Sequence, residues 1–153
     1  ILQKGLEEGQ KTYSQCPDSS LKRGKTLFDV TEALYFDANI ELTIQYLEWI
    51  NNITSLEKHL RDLFFIGSES FWVGREDFQK AGQFYKWIIE KYPDSEYGYM
   101  GMIVVSFHTN LESPGPYCEH LLKIDPNFES RKEKSFWEGQ VVRFINAYLE
   151  HKK

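Results

Sequence analysis

The chain has 153 residues, of which 41% are hydrophobic and 27% charged, a composition typical of one folded domain and not of a disordered segment. Its 18 Lys and Arg residues against 23 Asp and Glu residues give a net charge of -5. This balance argues against nucleic acid binding, which favours basic surfaces. No apolar run approaches the roughly 20 residues that a membrane-spanning helix needs.

Turn-forming residues divide the chain into helix-sized segments, and no segment shows the sustained alternation of a strand. Pro17 follows a first polar helix, Ser55 is a plausible N-cap of the fourth, and Pro93 ends the fifth. The sequence therefore predicts an all-α protein with eight helices at about 1–15, 20–35, 39–53, 55–72, 77–92, 95–109, 116–124 and 128–151.

The third helix has apolar stripes on two nearly opposite faces, one containing Ile40 and Leu47 and the other Leu42 and Tyr46. A helix that is apolar on both sides is expected to lie between neighbouring helices. The last helix instead has one apolar stripe and one charged face, the pattern of a terminal capping helix.

The segment 74–95 is the most informative part of the chain. Its large apolar side chains recur every three or four residues and line one face of a helix, while Pro93 prevents the helix from continuing. The face consists of Phe78, Ala81, Tyr85, Ile88 and Tyr92.

This segment resembles the second helix of a tetratricopeptide repeat, in which a small Ala, a large aromatic residue and a closing Pro follow one another. Here these are Ala81, Tyr85 and Pro93, and the first-helix positions match Leu63, Ile66 and Gly67. Pro126 follows Pro93 at close to the repeat period of roughly 34 residues. A second unit departs from the pattern, because Ile103 occupies a small-residue position and Pro114-Gly115-Pro116 shortens its second helix.

The resemblance implies a single domain over 1–153, built as a short right-handed solenoid of antiparallel helical hairpins. Its clearest repeat units are 63–93 and 96–126, and 128–151 is the capping helix. In this family the first helices of the repeats line a groove that binds partners. Carried onto this chain, the groove residues are Arg61, Phe64, Ser68, Phe71 and Trp72, followed by Tyr97, Met100, Val104, Phe107 and His108.

The phrase from Phe84 to Tyr97 is also similar to repeats of bacterial cell-envelope proteins, including the lipoprotein of the outer-membrane β-barrel assembly machine and periplasmic cell-division coordinators. This similarity implies a protein partner in the envelope or periplasm, with a cytoplasmic location as the alternative. Because the chain begins with Ile1 and not with Met, we expect a fragment or a processed form.

Catalytic and metal-binding signals are weak. Cys118, His120 and His108 are the candidates for a nucleophile, a base or a metal site, but positions 118 and 120 of a helix point in different directions. Cys16 and Cys118 are far apart in sequence and are expected to be separate thiols.

The sequence therefore predicts a non-enzymatic scaffold without a cofactor, binding a protein or peptide partner or a second copy of itself. The alternative is a helical enzyme or metal- or ligand-binding domain that uses Cys118, His120 and His108.

Overall fold

The computed structural model of the protein describes residues 2–16, 21–130 and 134–152. These residues form eight α-helices and no β-strand, which confirms the all-α prediction. The chain divides into two compact units, Ile1–Ile66 and Gly67–Lys153. The helices are α1 Leu2–Ser14, α2 Leu21–Asp37, α3 Ile40–Asn51, α4 Leu60–Ser68, α5 Phe78–Lys91, α6 Glu96–Thr109, α7 Gly115–Ile124 and α8 Phe136–Lys152.

In the first unit, α1, α2 and α3 pack against one another. Gly9 allows α1 to approach α2 closely, since a Cβ at this position would lie 2.5 Å from Val30 Cγ1. The Asn39 side chain caps α3 by accepting a hydrogen bond of 2.8 Å from the Leu42 N–H. Tyr46 and Leu47, one from each predicted stripe, are both fully buried in α3. The contacts of α3 with α1 and α2 explain why both of its faces are apolar.

The predicted helix 55–72 is broken at both ends, so its predicted extent was wrong. Ser55 accepts a hydrogen bond from the Glu57 N–H, but the turn that it caps is a 3-10 helix, Glu57–His59, ahead of α4. After α4 the chain forms a second 3-10 turn, Glu69–Phe71, and Trp72 then takes an extended conformation with ψ 144°. Trp72 therefore lies beyond the helix on which the sequence placed it.

Helices α5 and α6 form the centre of the second unit and are joined by the short connection 92–95. Asp77 and Ser95 cap their N-termini, each accepting a hydrogen bond from a backbone N–H of the first turn. Tyr92 leaves the α region at φ -134° just before Pro93, the residue predicted to end this helix. Residues 98–106 of α6 are buried without interruption, so this helix is covered on all sides over that stretch.

Tyr85 explains how closely the helices approach. Its ring is fully buried and faces two glycines. A Cβ at Gly67 would lie 2.5 Å from the Tyr85 hydroxyl, and a Cβ at Gly101 would overlap the ring itself. The aromatic residue and the glycines are therefore one packing unit that joins the end of α4, α5 and α6.

Helix α7 is short, as predicted from Pro114-Gly115-Pro116, and begins at Gly115. The prediction of one last helix from 128 onward was wrong. Phe128–Ser130 is a 3-10 turn and α8 begins only at Phe136, while positions 131–133 of the predicted helix lie outside the described residues. The start of α8 is set by a capping box in which Ser135 and Glu138 each accept a hydrogen bond from the other's backbone N–H, at 3.2 and 3.0 Å.

Candidate partner-binding surface

Aromatic rings of the second unit form a connected series across α5, α6, α8 and the chain between α4 and α5. Each ring lies within 5.8 Å of the next, measured between ring centroids, in stacked or edge-on geometry. Such contacts stabilise by about 0.5–1.5 kcal/mol per pair beyond simple burial. In order, the series is Phe136, Trp72, Trp137, Phe71, Phe78, His108, Phe144 and Phe107.

One end of this series is open to solvent. Trp72 and Phe136 stack with an interplanar angle of 20° and a centroid distance of 5.3 Å, yet they are 48% and 56% exposed. Val73 beside them is 91% exposed. We call Trp72, Val73 and Phe136 the aromatic surface. Soluble proteins seldom leave adjacent large apolar side chains in water without a binding role.

Local backbone structure fixes this surface in place. The Arg75 N–H donates to the Trp72 carbonyl at 3.0 Å, closing a turn in which Gly74 has φ +94°, a conformation that favours glycine. The Arg75 guanidinium reaches back to the Glu69 carboxylate at 3.2 Å. Phe136 is the first residue of α8, directly after the capping residue Ser135. Both rings are therefore carried by well-defined turns.

The other end of the series contains two residues predicted to bind a partner, His108 and Phe107. The exposed His108 ring stacks on Phe78 at 4.9 Å, and its Nδ1 lies 2.9 Å from the Val104 carbonyl oxygen. Because a carbonyl only accepts, Nδ1 carries the hydrogen in this bond. The half-buried Phe107 stacks on Phe144 at 4.6 Å.

The remaining predicted groove residues fall in several environments. Arg61, in the first unit, is exposed with its guanidinium 4.9 Å from the Phe65 ring centroid, and Tyr97 is half-buried. The others are buried, so a partner cannot reach these side chains in this structure. The buried residues are Phe64, Ser68, Phe71, Met100 and Val104.

The side chains suggested for catalysis or metal binding lie in unlike environments. The Cys118 thiol is fully buried, and burial, followed by the charge of Glu119, raises its pKa to about 12. It is therefore protonated at neutral pH, the form that attacks electrophiles poorly. His120 is exposed and stacks on Tyr99 at 4.3 Å. Across the described part of the chain, no three His, Cys, Asp or Glu side chains are placed to hold a metal ion.

Both cysteines are free thiols, as expected from their separation. Among the described residues no helix has the length and apolar character needed to cross a bilayer. Comparison of the chain with protein-family models, curated proteins and solved structures finds no match. The candidate site therefore depends on the residues and their geometry alone.

Sequence reasoning found Trp72 but missed Val73 and Phe136. A signal for Phe136 was present in Ser135 and Glu138, since S-x-x-E is the pattern of a capping box and predicts a helix that begins at the residue directly after the serine. That start would have placed Phe136 in the first turn of the helix. The pairing of Phe136 with Trp72 has no local signal, because the two residues are far apart in sequence.

Proposed function

We propose that the protein is a binding scaffold and that the aromatic surface docks an apolar stretch of a partner protein. The observation that carries this proposal is the exposed, stacked pair of Trp72 and Phe136. Trp and other aromatic side chains dominate binding hot spots because they are large and lose little conformational freedom on binding. A pair already held in a stacked arrangement has less freedom left to lose.

The energy available at this surface is large enough to matter. An aromatic side chain buries about 150–250 Å² when it is covered. Exposures of 48% and 56% therefore leave on the order of 200 Å² of aromatic area in water. At about 25 cal/mol per Å², a partner that covers this area gains at most about 5 kcal/mol. Only part of that gain appears as affinity, because association also costs translational and rotational freedom.

Site-specific photo-crosslinking tests the proposal. A benzoylphenylalanine placed at position 136 is expected to capture a discrete partner in extracts of the source organism. The matched control carries the same group at position 53, because Ile53 is also an exposed large apolar residue, at 51%, and lies in the first unit. Capture at position 136 that Trp72→Ala abolishes supports the proposal. Equal capture from both positions, or capture that Trp72→Ala leaves unchanged, refutes it.

The finer architecture and the setting form part of the same proposal. The match of Ala81, Tyr85 and Pro93 to a tetratricopeptide second helix supports stacked helical hairpins in one domain, and the phrase 84–97 supports a bacterial envelope assembly. A second copy of the chain is one candidate partner. Sedimentation of the purified protein tests this: a dimer that dissociates in Phe136→Ser, but not in Ile53→Ser, identifies the partner as the chain itself.

A further inference from the structure

A cavity of about 590 Å³ lies in the first unit, lined by α1, α2 and the chain that follows α3. Its volume is in the range of about 300–1,000 Å³ that small-molecule sites occupy. Three basic side chains line it: Arg23 from α2, and Lys58 and His59 from the 3-10 turn ahead of α4. Glu57 is the one acidic side chain among the described residues of its wall. The wall is therefore basic, in a chain whose net charge is -5.

The Arg23 guanidinium is held at this wall by an aromatic ring. Its Cζ lies 4.3 Å from the ring centroid of Tyr13, within the distance of a cation–π contact. Tyr13 is itself buried and packs edge-on against Trp49 at 5.8 Å. The contact restrains the guanidinium without neutralising its charge. Because Arg23 is half-buried, water screens its attraction for an anion less than it would at a fully exposed position.

The His59 ring lies against the backbone of α2, next to Arg23. A Cβ at Gly24 would be 3.1 Å from His59 Cε1, closer than most Cβ contacts. The glycine therefore allows basic side chains from two distant segments to share one wall. Within the described residues, neither Lys58 nor His59 forms an ion pair with a carboxylate. Their donor groups are open to an anion that enters the cavity.

Two hydroxyl groups add to the donor set. Thr54 and Ser55 are exposed and line the cavity, and Ser55 Oγ accepts a hydrogen bond of 3.1 Å from the Glu57 N–H, which leaves its own hydrogen to donate. A carboxylate has two oxygens to share among such donors, whereas a phosphate monoester has three strong acceptor oxygens and nearly two negative charges. Arg and Lys are both common phosphate partners. The number and charge of the donors therefore favour phosphate.

We propose that this cavity binds a phosphate group, either as the free ion or as part of a small molecule. Arg23 and Lys58 pair with the phosphate oxygens, and His59, Thr54 and Ser55 donate hydrogen bonds to them. The remaining volume of the cavity accommodates the group that carries the phosphate. The cavity lies in the first unit and the aromatic surface in the second, so this proposal and the proposed function can each fail without the other.

Isothermal titration with phenyl phosphate tests the proposal. We expect saturable binding to the wild-type protein that is weaker by about tenfold or more in Arg23→Gln, because a charge-assisted hydrogen bond is lost. Lys58→Gln, at an exposed side chain whose loss leaves the fold intact, is expected to weaken binding by about threefold or more. The matched control is Lys25→Gln, which removes the same charge from α2 at a side chain that is 76% exposed and pairs with Asp29. This control is expected to bind like the wild type.

Two further probes identify the ligand class. Phenylacetate carries a carboxylate in place of the phosphate and is expected to bind at least about tenfold more weakly than phenyl phosphate. Inorganic phosphate identifies the source: equal affinity indicates the free ion, and weaker binding than that of phenyl phosphate indicates an organic phosphate, and both results support the proposal.

Nitrogen–proton spectra locate the bound probe. The backbone N–H signals of Gly24, Ser55 and Lys58 are expected to shift as phenyl phosphate is added, and to saturate together. The proposal is overturned if phenyl phosphate does not bind at millimolar concentration, or if phenylacetate binds as tightly. It is also overturned if Lys25→Gln weakens binding as much as Arg23→Gln, because the attraction is then one of general surface charge.

Discussion

Replacing Gly101 by alanine is expected to destabilise the second unit, although alanine is the better helix former. A Cβ at Gly101 would overlap the Tyr85 ring. The ring cannot move away, because its hydroxyl end already lies against Gly67, so closely that a Cβ there would be 2.5 Å from it. Tyr85 is fully buried and contacts Phe84 edge-on and Phe71 at a tilt, so it has no open space into which to move. The backbone of α5 or α6 must shift instead.

The size of the effect follows from two opposing terms. Overpacking in a well-filled core typically costs about 1–3 kcal/mol and occasionally more, and a contact with an immobile ring belongs at the upper end. Helix propensity returns about 1 kcal/mol when alanine replaces glycine. We therefore expect Gly101→Ala to lower the free energy of unfolding by about 2 kcal/mol.

Urea unfolding followed by far-ultraviolet circular dichroism measures this change. Gly139→Ala in α8 is the matched control, because no atom lies within 4 Å of its would-be Cβ. It should raise the unfolding free energy by about 0.5–1 kcal/mol through helix propensity alone. If Gly101→Ala is as stable as Gly139→Ala, the packing of Tyr85 between α5 and α6 is incorrect.

Three other predictions concern single groups. Ser135→Ala, which removes one half of the capping box with Glu138, should cost about 1 kcal/mol in urea unfolding, and an unchanged midpoint would contradict the assigned start of α8. Mass spectrometry after iodoacetamide treatment should show that Cys118 is unmodified in the native protein and modified in urea. The partly exposed Cys16 is the internal control. Rapid modification of Cys118 in the native protein would contradict its burial. Burial of the Tyr117 hydroxyl, together with the neighbouring Glu112 carboxylate, raises the pKa of Tyr117 from 10.0 to about 12. The neutral hydroxyl therefore contributes its full share to the free energy of unfolding below pH 10, and this contribution is lost as the pH rises toward 12. The difference at 295 nm between alkaline titrations of the wild type and Tyr117→Phe measures this pKa, and a midpoint at 10 would refute it.

Local signals were sufficient to predict most of the helices. Asp77 and Pro93 bound α5 within one residue of the prediction at each end, because an N-cap and a helix-breaking imide act on the adjacent turn alone. Pro114-Gly115-Pro116 likewise predicted the short α7. The start of α8 was missed because the charged segment before Ser135 was taken as helical, although the capping box marks the boundary.

The candidate site was less predictable, because exposure depends on contacts distant in sequence. Met100 and Val104 were expected to face a partner, which assumes that one side of α6 is open. In the structure α5, α7 and α8 all pack against α6, and both residues are fully buried. Only the C-terminal end of α6, with Phe107 and His108, lies partly outside this packing. No periodicity along α6 could have revealed how α8 is placed.

The central claim is that the stacked pair of Trp72 and Phe136 binds a partner protein. Isothermal titration of the partner captured at position 136 tests it most directly, with wild-type protein, Trp72→Ala, Phe136→Ser and the control Ile53→Ser. Loss of a hot-spot aromatic side chain costs about 2 kcal/mol or more, or roughly 30-fold in affinity. The account predicts that loss for each of the first two variants and none for the control. Equal affinities for all four proteins would contradict it.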